Sequence, residues 1–405
     1  MLKVAIMGYG TIGSGVAEVL DINRAGIRGV TGEEIEVKYI LDLREFPGDK
    51  NEAKIVHDLG VILEDPEVRI VVETMGGVNP AYEFTRKCLE AGKSVVTSNK
   101  AVVAAKGTEL LQIARDRSLN YLMEAAVGGG IPLIRPLTQS LAGETIQEIN
   151  GILNGTTNYI LTKMDREGES FENALRNAQE LGYAERNPEA DVEGHDTCRK
   201  ISILTALATG KETDFEKVYT EGITRITEKD FLYAKKLGMQ IKLIGAGRFG
   251  AEKVSLFVVP MMVPADNPLY AVNDVYNGVL VTGKTVGRIM FYGAGAGKLP
   301  TANAVVSDIV EIARGNLERN IPFGWGGEKQ QLLDFGKETF RYFIRFTGSY
   351  DEKIGQVRAG LGSVRVITLP ELDGQEFAVL TGKLEEAKLQ RVLAGFDGVL
   401  QVIRA

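Results

Sequence analysis

The chain opens on an apolar run, Lys3 to Met7 (KVAIM), that offers no polar face, and such a run suits a strand buried on both sides. It leads at once into a glycine turn, GYGTIG at 8–13, and then into apolar positions at Val16, Val19 and Leu20, the spacing of a helix. Similar runs recur at 35–43 (IEVKYILDL), at 68–77 (VRIVVETMGG), in the VVT of KSVVTSNKAVV and at 119–123 (LNYLM). A helical pattern through Tyr82, Cys88 and Leu89 separates two of them. Strands that alternate with helices in this way predict a doubly wound parallel sheet.

Beyond Ile146 the pattern changes. EINGILNGTTNYILTKM reads as a strand that breaks at Asn154 and Gly155 into a helix near Thr156, and FENALRNAQELG as a helix stopped by Gly182. Residues 253–263 and 278–290 alternate apolar with polar, as antiparallel strands of a mixed second domain do. Val305, Val306, Ile309 and Ile312 then form one face of a helix expected to return to the first domain. The polar, glycine-rich GNLERNIPFGWGGEKQQ reads as a linker, and the tail after it as a small βαββαβ unit of its own. The expected division is 1–125, completed by about 295–318, then 126–294, a linker at 319–337, and 338–405.

Composition narrows the function. The 405 residues are 44% apolar and 25% charged, an ordinary globular balance with room for several cores. A net charge of −7 without a lysine- or arginine-rich block argues against nucleic-acid and anionic-membrane partners and for small molecules. The start lacks a signal-peptide pattern and no apolar run reaches the ~18 residues of a membrane helix, so a cytoplasmic protein is expected. Cys88 and Cys198 are the only thiols, and neither lies in a CxxC pair. His57 and His195 are the only imidazoles, so acid–base work is expected of carboxylates and lysines.

The candidate chemistry follows the glycines and the strand ends. Gly8 permits the tight turn, Gly10 the approach of a pyrophosphate and Gly13 close packing of helix on strand, a pattern that predicts dinucleotide binding; a glycine turn without ligand is the alternative. Near the end of the second strand Asp42 would bind the ribose hydroxyls of NAD, whereas Arg44 would accept the phosphate of NADP, and the choice stays open. Lys100 arrives at a strand's carboxyl end, either to cap a loop or to act as a catalytic or cofactor-facing amine. Glu124 precedes three glycines whose carbonyls could turn toward a hard cation, or which serve as a hinge. In GYAERNPEADVEGHDTCRK at 182–200, five carboxylates precede Lys200, and Asp196 and Lys200 stand four apart on one helix face. That pair is either an exposed ion pair or a pair directed into a cleft.

Together GYGTIG, TSNK at 97–100, EAAVGGGIP at 124–132, NGTTNYIL at 154–161, the 182–200 motif and GAGAGKLPTA at 293–302 resemble the motifs of homoserine dehydrogenases, in that family's order, over residues 1 to about 315. The tail resembles an ACT regulatory domain. The resemblance implies an α/β fold: a Rossmann-type dinucleotide-binding domain, an α+β catalytic and dimerisation domain, and a C-terminal βαββαβ ACT-like domain. It implies NADP- or NAD-dependent interconversion of L-aspartate 4-semialdehyde and L-homoserine, on the route to threonine, methionine and isoleucine, by a homodimer or homotetramer. Lys200 matches the acid, Lys100 the second functional lysine, and Asp196 a partner of the reacting hydroxyl or of Lys200. Gly182 and Glu185 match substrate contacts, and Asp191, in the same motif, is assigned to substrate binding because the amino acid's ammonium needs a carboxylate. Gly8, Tyr9, Gly10, Thr11, Ile12, Gly13, Arg44, Lys100 and Gly297 match cofactor contacts. Glu124, Val127, Gly129 and Ile131 match the ligands of a monovalent cation, sodium in this family. The tail lacks the usual proline in SYDEKIGQV, so an amino-acid effector site and a packing module that senses nothing both stand open. Two rivals remain at this point: an NAD(P)-dependent amino-acid dehydrogenase that oxidises an amine, and a nucleotide- and amino-acid-sensing regulator without turnover.

Overall fold

The computed structural model describes residues 1–315, 323–372 and 374–405; residues 319–322 of the expected linker, and 316–318 of the stretch expected to complete the first domain, lie outside these. The chain forms two compact units. Residues 1–144, 202–215 and 293–330 make one, and 145–201, 216–292 and 331–405 the other.

In the first unit the apolar runs become parallel strands: β1 (Leu2–Met7), β2 (Ile35–Leu41), β3 (Ile55–Val56), β4 (Val68–Glu73), β5 (Ser94–Thr97) and β6 (Tyr121–Leu122). They pair in the order β3-β2-β1-β4-β5-β6, so the order reverses between β1 and β4. The crevice outside the carboxyl ends of the strands at such a reversal is where doubly wound sheets bind ligands. The connections carry α1 (Thr11–Ile22), α2 (Arg24–Thr31), α3 (Leu59–Glu64), α4 (Ala81–Glu90) and α5 (Lys100–Asp116). β4 stops at Glu73 rather than running to residue 77, since Gly76 and Gly77 both take left-handed backbone angles that no strand continues.

The second unit begins with β7 (Ile146–Ile152), α6 (Gly155–Glu167), α7 (Phe171–Glu180), α8 (Glu189–Val192) and α9 (His195–Thr209), whose last residues fall in the first unit. β8 (Lys211–Glu212) belongs to the first unit; after β9 (Tyr219–Thr220) and α10 (Glu228–Leu237) the second continues with the long strands β10 (Met239–Phe249), β11 (Val254–Pro264), β12 (Tyr276–Gly283) and β13 (Gly287–Ala294). α11 (Lys298–Arg314) belongs to the first unit, and its apolar face of Val305, Val306, Ile309 and Ile312 shares a core with Val4, Ile6, Val16 and Ile40. Further on, β14 (Gly326–Lys329) pairs with β8.

The tail then folds as β15 (Thr339–Phe340), β16 (Tyr342–Thr347), α12 (Tyr350–Leu361), β17 (Val364–Ile367), β18 (Glu376–Thr381), β19 (Leu384–Glu385), α13 (Glu386–Leu393) and β20 (Val399–Arg404). Its sheet is not isolated. β20 pairs in parallel with β11 through Met261 and Arg404, so one sheet runs β13-β12-β7-β10-β11-β20-β16-β18-β17, with β9 also on β11. A single apolar core joins Phe257, Val259 and Leu280 to Phe340, Ile344, Phe346 and Phe377. Among the described residues no helix is long and apolar enough to cross a membrane.

Candidate active site

In the second unit the chemistry gathers around one asparagine. α6 can start at Gly155 because Asn154 has extended backbone angles and its Oδ1 accepts the Thr157 N–H at 2.9 Å, an N-cap. A capping amide has its NH2 left over. Here Nδ2 donates to Asp191 Oδ1 at 2.7 Å and to Asp196 Oδ2 at 2.8 Å, so one side chain bridges two carboxylates from α8 and α9. Asp196 lies in the first turn of α9, where the helix dipole favours negative charge. One turn on, Lys200 Nζ donates to Asp196 Oδ2 at 2.8 Å and to Leu153 O at 2.8 Å. Asp196 is 2% and Lys200 7% exposed, so the i,i+4 pair is no surface salt bridge. A carboxylate and a carbonyl are both acceptors, and they suit the lysine in its proton-carrying form.

The rest of the 182–200 motif stands apart. Gly182 follows α7 with a φ of +75°, and it and Glu185 are exposed. The loop is held by Thr156 Oγ1, which donates to Tyr183 O at 2.6 Å, and by the edge of Tyr183 against Tyr159 at 5.2 Å. Thus Lys200, Asp196 and Asp191 converge, whereas among the described residues no hydrogen bond or ion pair joins Glu185 to them. The sequence marks Asn154 only as a helix start, and its spare amide was the available signal.

In the first unit the glycine loop joins β1 to α1. Gly8 has a φ of +92°, and a Cβ on Gly13 would lie 1.9 Å from Gly8 O, so only glycine lets the helix sit this close to the loop. Thr11 and Ile12 open α1, and Gly10 is its N-cap, with nothing within 4 Å of where a Cβ would stand. Tyr9 turns inward: its ring packs edge-on to Phe46 at 5.0 Å and its hydroxyl accepts from Asn51 Nδ2 and donates to Asp49. Asp42 and Arg44 turn out to be partners rather than rivals. Arg44 Nε and Nη2 donate to Asp42 at 3.0 and 2.9 Å, and the Arg44 and Tyr9 N–H groups add two more bonds at 3.0 and 2.7 Å. Arg44 above all, with the Tyr9 N–H, holds the Asp42 carboxyl well below the usual carboxylate range. Lys100 is the first residue of α5, which Asn99 caps by accepting from Ala101 N and Val102 N. Gly297 is the N-cap of α11.

Glu124, 3% exposed, accepts the Leu133 and Ile134 N–H groups on Oε1 at 2.6 and 2.8 Å and the Arg135 N–H on Oε2 at 2.8 Å. Its own N–H donates to Asp308 of α11, and Arg135 bonds both Asp308 and Glu311. Burial pushes the Asp308 carboxyl well above its ordinary range, against the pull of Arg135. Val127 and Ile131 are buried, and Gly129, with a φ of +57°, lies so close to Gly295 that a Cβ would come within 2.2 Å of its carbonyl. Among the described residues no group of three or more His, Cys, Asp or Glu side chains is placed to hold a metal ion.

Comparison with known proteins decides the family. A homoserine dehydrogenase family model matches residues 132–310, and a model of the homoserine dehydrogenase NAD-binding domain matches residues 8–124. The chain belongs to the homoserine dehydrogenase family. The homoserine dehydrogenase of Synechocystis sp. is 46% identical over 318 residues, 77% of this chain and 73% of that protein. A solved homoserine dehydrogenase from Thiobacillus denitrificans superposes with a TM-score of 0.92 at 34% identity, covering 100% of this chain and 97% of that one. A hyperthermophilic archaeal homoserine dehydrogenase, solved in complex with NADPH, matches 76% of this chain and 97% of its own with a TM-score of 0.64 at 26% identity. The activity is therefore that of the family, NAD(P)-dependent interconversion of L-aspartate 4-semialdehyde and L-homoserine by hydride transfer.

Proposed function

We propose that Lys200 is the acid that protonates the alkoxide formed from the aldehyde, and the base for the reverse direction. The observation that carries this reading is the buried chain Asn154–Asp196–Lys200, which fixes one ammonium with two acceptors inside a motif of substrate-type carboxylates. A fixed cation beside a developing oxyanion both lowers its energy and supplies its proton. Asp196 orients Nζ or meets the reacting hydroxyl. Asp191, with Gly182 and Glu185, serves the amino-acid end of the substrate, whose ammonium needs a carboxylate.

NAD(P), when bound, supplies or accepts the hydride. In the loop that receives its phosphates Gly8 sets the turn, Gly13 the helix packing and Tyr9 the anchor on Asp42, while Gly10, Thr11 and Ile12 at the start of α1 meet the phosphates; Gly297 and Lys100 meet its nicotinamide end, and Lys100 stands between cofactor and substrate. Arg44 meets the adenosine ribose and favours NADP, and Asp42, which accepts four hydrogen bonds, two of them from the Arg44 side chain, is the weaker acceptor for ribose hydroxyls. The NADPH bound in the archaeal relative agrees with this.

The cation site fits its residues. Glu124 Oε2 takes one N–H and keeps acceptor capacity, and with the carbonyls of Val127, Gly129 and Ile131 it would give an oxygen-only set suited to sodium. We read the chain as a homo-oligomer, since Tyr292 on the edge strand β13 and Tyr276 on β12 beside it stack at 5.4 Å and stand exposed, as an interface between copies would have them. We read the tail as an ACT-like module on its βαββαβ order, with an amino-acid effector as its candidate ligand, and the enzyme as serving threonine, methionine and isoleucine synthesis.

The test is cofactor reduction by the pure protein with L-homoserine and NAD or NADP, with L-aspartate as control. Reduction with L-homoserine alone is expected; reduction only with L-aspartate would assign the site to an amine-oxidising dehydrogenase.

A further inference from the structure

Glu73 is the last residue of β4, in register with Met7 of β1 on one side and Thr97 of β5 on the other. It therefore sits at the carboxyl edge of the sheet, beside the reversal of strand order. Its residue exposure is 0%. Burial raises its carboxyl above the ordinary range, and the hydrogen bonds it receives oppose that rise. An apolar residue would end a buried strand at less cost, so the carboxylate calls for a reason beyond the strand itself.

Its partners supply one. Glu73 Oε1 accepts the Met75 N–H at 2.8 Å and Asn99 Nδ2 at 3.3 Å, and Oε2 accepts the Thr97 hydroxyl at 2.7 Å. The Thr97 Oγ1 in turn accepts the Asn99 N–H at 2.9 Å. Asn99 caps α5 with Oδ1 and donates to Gly77 O at 2.7 Å with Nδ2. Lys100 comes next. On the other flank Thr74 donates through its N–H to Met7 O at 2.9 Å and through its hydroxyl to Gly8 O at 2.8 Å, the first residue of the glycine loop. The Glu73 carboxylate thus ties the turn that carries Lys100 to the end of β4, and its neighbour Thr74 ties that same strand end to the glycine loop.

We propose that Glu73 is a positioning residue for hydride transfer, which fixes the Ser98-Asn99-Lys100 turn to the carboxyl end of β4 and acts on turnover through Lys100. This rests on the reading of Lys100 as the lysine between cofactor and substrate. Being fully buried, Glu73 touches neither. In Glu73→Gln an amide NH2 replaces one acceptor oxygen: on the Oε1 side it meets the Met75 and Asn99 N–H donors, and on the Oε2 side it makes the Thr97 hydroxyl turn its proton away, so the network loses at least one bond with almost no change in volume.

The experiment is a double-mutant cycle on the full-length enzyme: wild type, Glu73→Gln, Lys100→Met and the double variant, with kcat and KM for L-homoserine and cofactor, and thermal unfolding as a check on the fold. Glu73→Gln is expected to stay folded and to lose about 10- to 100-fold in kcat, since small misplacements of a reacting group cost that much. Its cofactor KM should stay within about threefold, the signature of an interaction used in turnover rather than in binding. The double variant should be no slower than Lys100→Met alone. Unchanged kcat in folded Glu73→Gln overturns the proposal, as does a double variant slower than Lys100→Met by the whole Glu73→Gln factor, which would mean that Glu73 acts independently of Lys100. Normal turnover in Lys100→Met would remove Lys100 from the reaction, and the proposal with it. Should Glu73→Gln fail to fold, Glu73→Asp, which keeps the charge but withdraws it by one methylene, takes its place with the same criteria.

Discussion

Replacing Asn154 by alanine removes a helix cap and a carboxylate clamp in one step, and serine separates the two. The cap is the Oδ1 bond to Thr157 N, and its loss costs about 1 kcal/mol. The clamp is Nδ2, which donates to Asp191 and Asp196 at 2.7 and 2.8 Å. Asp196 keeps Lys200 as a partner, so losing the clamp costs about 2 kcal/mol rather than the full sum for two charged hydrogen bonds. Asn154→Ala should therefore lose about 3 kcal/mol of unfolding free energy. Asn154→Ser, whose hydroxyl caps but cannot span both aspartates, should lose about 2 kcal/mol. Both should lose about 10- to 100-fold in kcat, because Asp196 and Lys200 are no longer set in place. Urea unfolding gives the first quantity, and the absorbance of the reduced cofactor during L-homoserine oxidation gives the second. If serine restored stability and turnover together, the cap alone would matter and the clamp would have no part in the reaction.

Two other perturbations give distinct outcomes. Arg44→Ala should raise the KM for NADP about tenfold or more, the worth of a charged phosphate contact, and leave that for NAD nearly unchanged; equal effects on both cofactors would separate Arg44 from the 2′-phosphate. Lys242 is buried in β10 against Asn158, Val272 O and Asn273, and burial pulls its ammonium down to about 8 from the ordinary 10.5. Below pH 8 both folded and unfolded chains carry the proton and the fold bears the cost. Between about 8 and 10.5 the unfolded chain binds the extra proton, so stability rises with pH through that window, by about 3 kcal/mol in all. Urea unfolding of wild type and Lys242→Met across that window should show the difference moving by this amount in favour of wild type, and a constant difference would contradict the assignment.

The legible features were local ones. The run KVAIM, the glycines at 8, 10 and 13 and the helical spacing behind them are neighbours in sequence, and they form β1, the loop and α1 much as read. Asp196 and Lys200 four apart on a helix were equally plain, since one turn of helix brings them together. Their burial was not legible, because it depends on Asn154, more than forty residues before Asp196 and paired with it only after α6 and α9 have packed. Glu73 is not singled out by the sequence, since it lies inside the run read as a strand to residue 77; its partners lie one strand away, on Thr97 and Asn99. Asp42 and Arg44 read as opposing cofactor signals because a sequence lists side chains singly, whereas two residues apart at a strand end they pair. The bond between β11 and β20 joins Met261 to Arg404, an edge-to-edge pairing that no pattern of apolar positions announces.

The central claim, that Lys200 carries the proton of the reaction, is tested most directly by the turnover of Lys200→Met with L-homoserine and cofactor. The expected result is a kcat lower by about 10²- to 10⁴-fold, the usual worth of a general acid or base, with cofactor affinity unchanged. Turnover close to that of the wild type in the folded variant would contradict it.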